Sequence, residues 1–243
     1  MKADMFKKET YIARRVELKK LVKDGIILLF GNNESPVNSP ANGYSPFRQD
    51  SSFLYYFGQK RDGLVGVIDV NEDKDMLIGN DIDIEDIVWF GSVDAVSDLA
   101  AQVGVSNTAP MSELKNICDK AKASNRKIHF LPPYRADIKI QICDLLGIHP
   151  DKQKEEASLD LINAVVKMRS VKTAEEIEEL ERAAVIGYKM HTTAMRITKP
   201  GLTEKYVAGQ IEALPILMVQ WSLSLLFSLN MVKSCMEIHL WQN

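Results

Sequence analysis

Gly25-Ile26-Ile27-Leu28-Leu29-Phe30-Gly31 decides the fold class of this chain. Five apolar residues between two glycines are too few for a buried helix. They also lack the alternation of a half-solvated strand, so they read as a strand shielded on both faces. Such a strand needs helices above and below its sheet, and the flanking sequence supplies them. Before it, residues 4–23 place Ile12, Val16, Leu18 and Leu21 among Lys, Arg and Glu, an amphipathic helix stopped at Gly25. After it, residues 31–46 (GNNESPVNSPANGYSP) are rich in turn formers and read as a long loop.

Further along, Phe53-Leu54-Tyr55-Tyr56-Phe57 before Gly58 reads as an aromatic strand, which would send Tyr55 and Tyr56 to opposite faces. Residues 64–70 and 76–78 read as strands joined by the polar turn at 71–75, and 127–131 as another strand stopped by Pro132-Pro133. Residues 93–103, 111–123 and 135–147 read as helices. Strands alternating with helices give an α/β class, and the hairpin-like spacing of 64–70 and 76–78 favours a mixed sheet flanked by helices. The polar run at 151–156 then leads into a helix carrying Leu159, Leu161, Ile162, Val165, Val166 and Met168. Thr173 and Glu176 form a T-x-x-E capping box for a long helix broken at Pro200-Gly201, and Thr203 caps a further helix to about Ala213.

Composition bounds the function. The chain has 243 residues, with 33 acidic and 30 basic side chains and a net charge of −3, which gives no electrostatic reason to expect a nucleic-acid or anionic-membrane partner. Cys118, Cys143 and Cys235 are odd in number and far apart, so no zinc ribbon or disulfide framework is indicated, and a reducing compartment follows. The opening MKADMFKKETYIARR lacks an apolar core of the secretory kind, which together with the thiols gives a cytoplasmic expectation. Of the four histidines, His129 reads as structural within a strand, His149 as a turn residue and His191 as a lone helical side chain, while His239 lies in the tail; none falls in a metal-ligand spacing. The glutamates at 175–181 suit the positive end of a helix dipole better than a metal.

Two segments resemble the aminopeptidase P and prolidase family of metallopeptidases, whose fold is shared with creatinase. The first is the run from Tyr44 to Gly58, an aromatic residue, then Arg48-Gln49-Asp50-Ser51, then an aromatic segment ending in glycine. The second is Met168-Arg169-Ser170-Val171-Lys172-Thr173-Ala174-Glu175-Glu176-Ile177, continued by Pro200-Gly201-Leu202-Thr203-Glu204. Val88-Trp89-Phe90-Gly91 is similar to a third family segment. The resemblance implies a creatinase-like amino-terminal domain over 1–155, a linker helix over 156–171 and the first helices of a pita-bread catalytic domain over 172–213. It further implies removal of the residue preceding proline from a peptide substrate. Two divalent ions, manganese by expectation, would activate a bridging water and be held by two Asp, one His and two Glu. Those five lie beyond the Pro-Gly-x-Thr-Glu turn in the family, so this chain is expected to hold no metal and to be inactive alone. A homo-oligomer formed through the amino-terminal domain is also implied, in which Arg48, Asp50 and Trp89 would contact substrate across a subunit boundary. The simpler role for Arg48 and Asp50 is to pair with or cap the loop they stand in, and for Trp89 to be a core or interface aromatic. A non-catalytic binding or oligomerisation module, or a prolidase, is the alternative.

Residues 214–243 change character. Back-translating Leu217–Leu223 and shifting the frame gives Asn-Gly-Ala-Met-Val-Ser, and continuing gives Ser-Phe-Pro and Leu-His-Gly-Asn segments that fit the resembled family. A one-base shift near the codon of Ala213 is therefore expected, giving a tail without an evolved fold. The competing reading is a membrane anchor over the 19 uncharged residues 214–232, diluted by Gln220, Ser222, Ser224, Ser228 and Asn230.

Overall fold

The computed structural model describes residues 5–36, 47–82, 88, 91 and 93–218. It divides into two compact units, Phe6–Ser170 and a second beginning at Val171. In the first unit, strands β1 (Ile26–Phe30), β2 (Val65–Asp69), β3 (Lys74–Ile78), β4 (Asn107–Ala109) and β5 (Ile128–Phe130) form one sheet in the order β4-β3-β2-β1-β5. β1, β2 and β3 run antiparallel to their neighbours in the meander, and the two outer strands are parallel to the strands they join. The sheet is therefore mixed, as the hairpin spacing predicts. The three-residue strand β4 has no counterpart in the sequence reading, because a short edge strand ending at Pro110 carries no periodic signal.

β1 is covered on both faces, as its unbroken apolar run requires. Ile26 and Leu28 join Val65, Val67 and Ile78 on one face, under α4 (Glu113–Ala123) and α5 (Ala136–Leu146), whose Leu114, Cys118, Ala121 and Leu145 complete that core. Ile27 and Leu29 stand opposite Ile68 and Gly66 on the other face. There α1 (Lys8–Val22), α2 (Ser51–Phe57) and α6 (Leu159–Ser170) form the cover, and α3 (Val96–Gln102) follows toward the β4 edge. A Cβ on Gly66 would come within 2.1 Å of the Phe57 ring, so the missing side chain lets α2 lie directly on the sheet.

Two local readings are corrected. Residues 51–57 are a helix, not a strand. Asp50 caps it, its Oδ1 accepting the amides of Ser52 at 2.8 Å and Phe53 at 2.9 Å, and Gly58 at φ 64° closes it in the left-handed region. A cap at each end outweighs the strand preference of five aromatic or apolar residues. Tyr55 and Tyr56 consequently pack edge to face with centroids 4.9 Å apart, and Tyr56 is the buried one. On α1 the buried stripe is Tyr11, Arg14, Arg15, Leu18 and Val22, whereas Val16 faces solvent. α6 lies within the first unit and packs on α1.

The second unit contains α7 (Ala174–Ile197) and α8 (Glu204–Met218). The Thr173–Glu176 capping box forms as the sequence indicates, with Glu176 Oε2 accepting the Thr173 amide at 2.8 Å. Ile186, Met190, Val207 and Ile211 make the core between these helices, with Leu214 against it. α8 thus runs past Ala213; the readings for 219–243 lie outside the described residues. Among the described residues no helix is long and apolar enough to cross a membrane.

Candidate functional site

The Arg48-Gln49-Asp50 segment lies against the carboxyl ends of β1 and β5, the parallel pair, where the strand-following loops of an α/β sheet converge. Gln49 is buried and organises it. Its Oε1 accepts the Asn32 amide and, at 2.8 Å, the Asp50 amide, while its Nε2 donates to the Arg61 carbonyl at 2.7 Å. Asn32, also buried, donates from Nδ2 to the Arg48 carbonyl at 2.8 Å. Asp50 uses one carboxylate oxygen for the cap of α2 and the other to accept the Tyr134 hydroxyl at 3.1 Å. Partial burial of that hydroxyl, and then the nearby Asp50 charge, raise the Tyr134 phenol above its ordinary value. Beside it, Arg135 Nε donates to Asp137 at 3.0 Å and its NH2 reaches the Asn33 carbonyl at 2.9 Å. Arg135, Asn33 and burial acting together leave the Asp137 carboxyl below its ordinary value; burial, the largest of these, opposes the shift and the hydrogen bonds overcome it.

These residues edge a cleft lined also by Leu29, Phe30, Pro133 and Ile138, with a cavity volume of about 40 Å³. Asp50 is thus a capping residue with its second oxygen turned to the cleft, and Arg48 contributes its backbone carbonyl to the same network. Trp89 lies outside the described residues. Asn32 and Tyr134 were not singled out by sequence, and Gln49 only as a member of the Arg48–Ser51 motif and not as a site residue; an Asn after a strand and a Gln before a cap look like ordinary loop residues until the fold brings 32, 49 and 134 together. The remaining histidines fall where their neighbours suggest: His129 is buried, and His149 is exposed in a turn. Among the described residues no three His, Cys, Asp or Glu side chains gather as a metal-ligand set.

With this geometry in view, comparison with known proteins is decisive for the first unit. Residues 11–129 match the family model of the aminopeptidase P N-terminal domain. The first unit is an aminopeptidase P N-terminal domain. The chain is 24% identical over 217 residues to the Xaa-Pro aminopeptidase of Escherichia coli, covering 86% of this chain and 49% of that protein. It is 24% identical over 192 residues to the human Xaa-Pro dipeptidase, covering 74% of this chain and 36% of that one. Among solved structures, the Pseudomonas aeruginosa aminopeptidase PepP superposes with a TM-score of 0.71 at 21% identity, covering 88% of this chain and 50% of that one. The chain therefore spans about half the length of the relatives it matches, or less. In the aminopeptidase P N-terminal domain the mixed sheet, the α2 cap and the Gln49 network form a scaffold; among the described residues no set of His, Cys, Asp and Glu side chains fits a two-metal centre.

Proposed function

We propose that the chain is the amino-terminal part of a metal-dependent Xaa-Pro aminopeptidase. The observation that carries this reading is the match of residues 11–129 to the aminopeptidase P N-terminal domain, in a chain whose likeness to an Xaa-Pro aminopeptidase continues over 217 residues. The first unit positions and assembles, and the chemistry belongs to side chains of the second domain. Two divalent ions, manganese by family expectation, would supply an activated water there. No step is assigned to them on this chain, because no ligand set gathers among its described residues. In this reading the chain by itself leaves Xaa-Pro peptides intact. A cytoplasmic location and self-association through the first unit belong to the same reading.

The human Xaa-Pro dipeptidase matches at the same 24% identity but over less of this chain, so a dipeptidase is the second reading. One experiment separates them. The gene is resequenced from the codon of Thr203 past that of Asn243, and any frame encoding the two Asp, one His and two Glu is expressed joined to this chain. That product should release the first residue of an Xaa-Pro-Xaa tripeptide with Mn(II), and this chain alone should not. Release from Xaa-Pro dipeptides only would favour the dipeptidase. Release by the chain alone, or an inert joined product, would overturn the proposal.

A further inference from the structure

Three elements of the first unit meet at one side chain. His129 lies in β5 opposite Ile27 and is 2% exposed. Its Nε2 stands 3.1 Å from the carbonyl oxygen of Asp24, in the turn after α1, and its Nδ1 stands 2.6 Å from Ser158 Oγ. A carbonyl only accepts, so Nε2 carries a proton, and the Nδ1 of the neutral ring accepts the Ser158 hydroxyl. Ser158 is at the start of α6. Its Oγ accepts the Leu161 amide at 3.2 Å, and its carbonyl accepts the Ile162 amide at 2.9 Å. Its own amide donates to the Phe130 carbonyl at 3.2 Å, which ties the cap to β5. Gly25 makes room for the ring: at φ 83°, a Cβ there would lie 2.7 Å from Nε2.

We propose that His129 is a pH-operated latch on the first turn of α6, in which protonation turns Nδ1 from acceptor to donor, so that the Ser158 hydroxyl loses its acceptor and its oxygen is shared between Nδ1–H and the Leu161 amide, which loosens the cap. The charged groups facing the ring are Asp24 from the turn after α1, Asp160 from the first turn of α6 and Lys127 from the approach to β5. The Asp24 carboxylate is 3.7 Å from Nε2. Burial acts most strongly and holds the imidazole below its ordinary value; the hydrogen bond to Asp24 and the two carboxylates work against that, and Lys127 works with it. The positive end of the α6 dipole also opposes an imidazolium at this point. The sign follows. The folded protein binds this proton less tightly than the unfolded chain, so the latch contributes above the ordinary histidine value of about 6.5 and is lost as pH falls through the lower folded value. α6 ends at Ser170, where the first unit ends, so the latch acts on the helix that leads into the second unit.

The test is amide hydrogen exchange on the full chain from pH 7.5 down to 4.5, corrected for the intrinsic rate. Protection of Leu161 and Ile162 should fall about tenfold or more relative to that of Ile27 and Leu28 in β1. Ser158→Ala should abolish this step, and Ser158→Thr, which keeps a hydroxyl, should retain it. Protection that stays constant, or falls in parallel in β1, would overturn the latch. So would an unchanged step in Ser158→Ala, since another group would then be titrating.

Discussion

Arg15 and Asp75 join α1 to β3 through a contact of 2.8 Å, with the Arg15 side chain wholly buried. The guanidinium does not stop there. Its NH1 donates to the Tyr56 carbonyl at 2.8 Å, at the end of α2, and its NH2 to the Val103 carbonyl at 2.8 Å, just after α3. One side chain of α1 therefore satisfies groups on or next to three other elements, a geometry suited to a planar fork of donors and not to an ammonium. Removing one partner of such a buried network leaves uncompensated polar groups and costs about 3–5 kcal/mol. Arg15→Met should lower the free energy of unfolding measured in urea by that amount, and Arg15→Lys should recover less than half of it. A loss within experimental error for Arg15→Met would show that the network adds nothing.

Asp50 separates a structural from a substrate role. Loss of a side-chain cap costs about 1 kcal/mol, and Asn caps nearly as well as Asp. Asp50→Ala should therefore destabilise the chain by about that much, with Asp50→Asn close to wild type. In the joined peptidase, an Asp50→Asn variant that folds normally but loses turnover would assign the carboxylate to substrate contact. Equal turnover would leave it as the cap of α2.

What the sequence shows and what it hides differ for physical reasons. β1 is legible because its run of apolar residues has no alternative explanation, and the α7 cap because Thr173 and Glu176 satisfy each other locally. Residues 53–57 mislead because β-branched and aromatic preference is weak and depends on context, whereas the Asp50 and Gly58 caps act on the backbone itself. Arg14 and Arg15 mislead because hydrophobic periodicity assigns arginine to solvent, and only the fold places carbonyls and Asp75 within reach. The Asn32–Gln49–Tyr134 network is hidden for a similar reason: its members come from three loops, and each is unremarkable alone.

Gly66 tests how closely α2 lies on the sheet. Its absent Cβ would overlap the Phe57 ring at 2.1 Å, and Phe57 stacks on Phe53 at 5.6 Å, so the ring has little room to retreat. Overpacking of this kind costs about 1–3 kcal/mol. Gly66→Ala should show such a loss in thermal or urea unfolding, and Phe57→Leu in the same chain should relieve part of it. Additive losses in the double variant would mean that the two positions do not press on each other.

Cys118 should be inert in the folded protein. Burial between α4 and the sheet pushes its thiol up to about 11, with Lys122 partly offsetting the shift. At pH 8 the thiolate fraction is then about one in a thousand, and the thiolate is the reactive form. Iodoacetamide at pH 8 followed by peptide mapping should leave Cys118 unmodified in the native chain and modify it fully in urea. The rate should rise with pH toward 11 only as far as the fold survives, because a charged sulfur in that core opposes packing. Rapid native labelling at pH 8 would mean that α4 opens from the sheet much more often than a packed core allows.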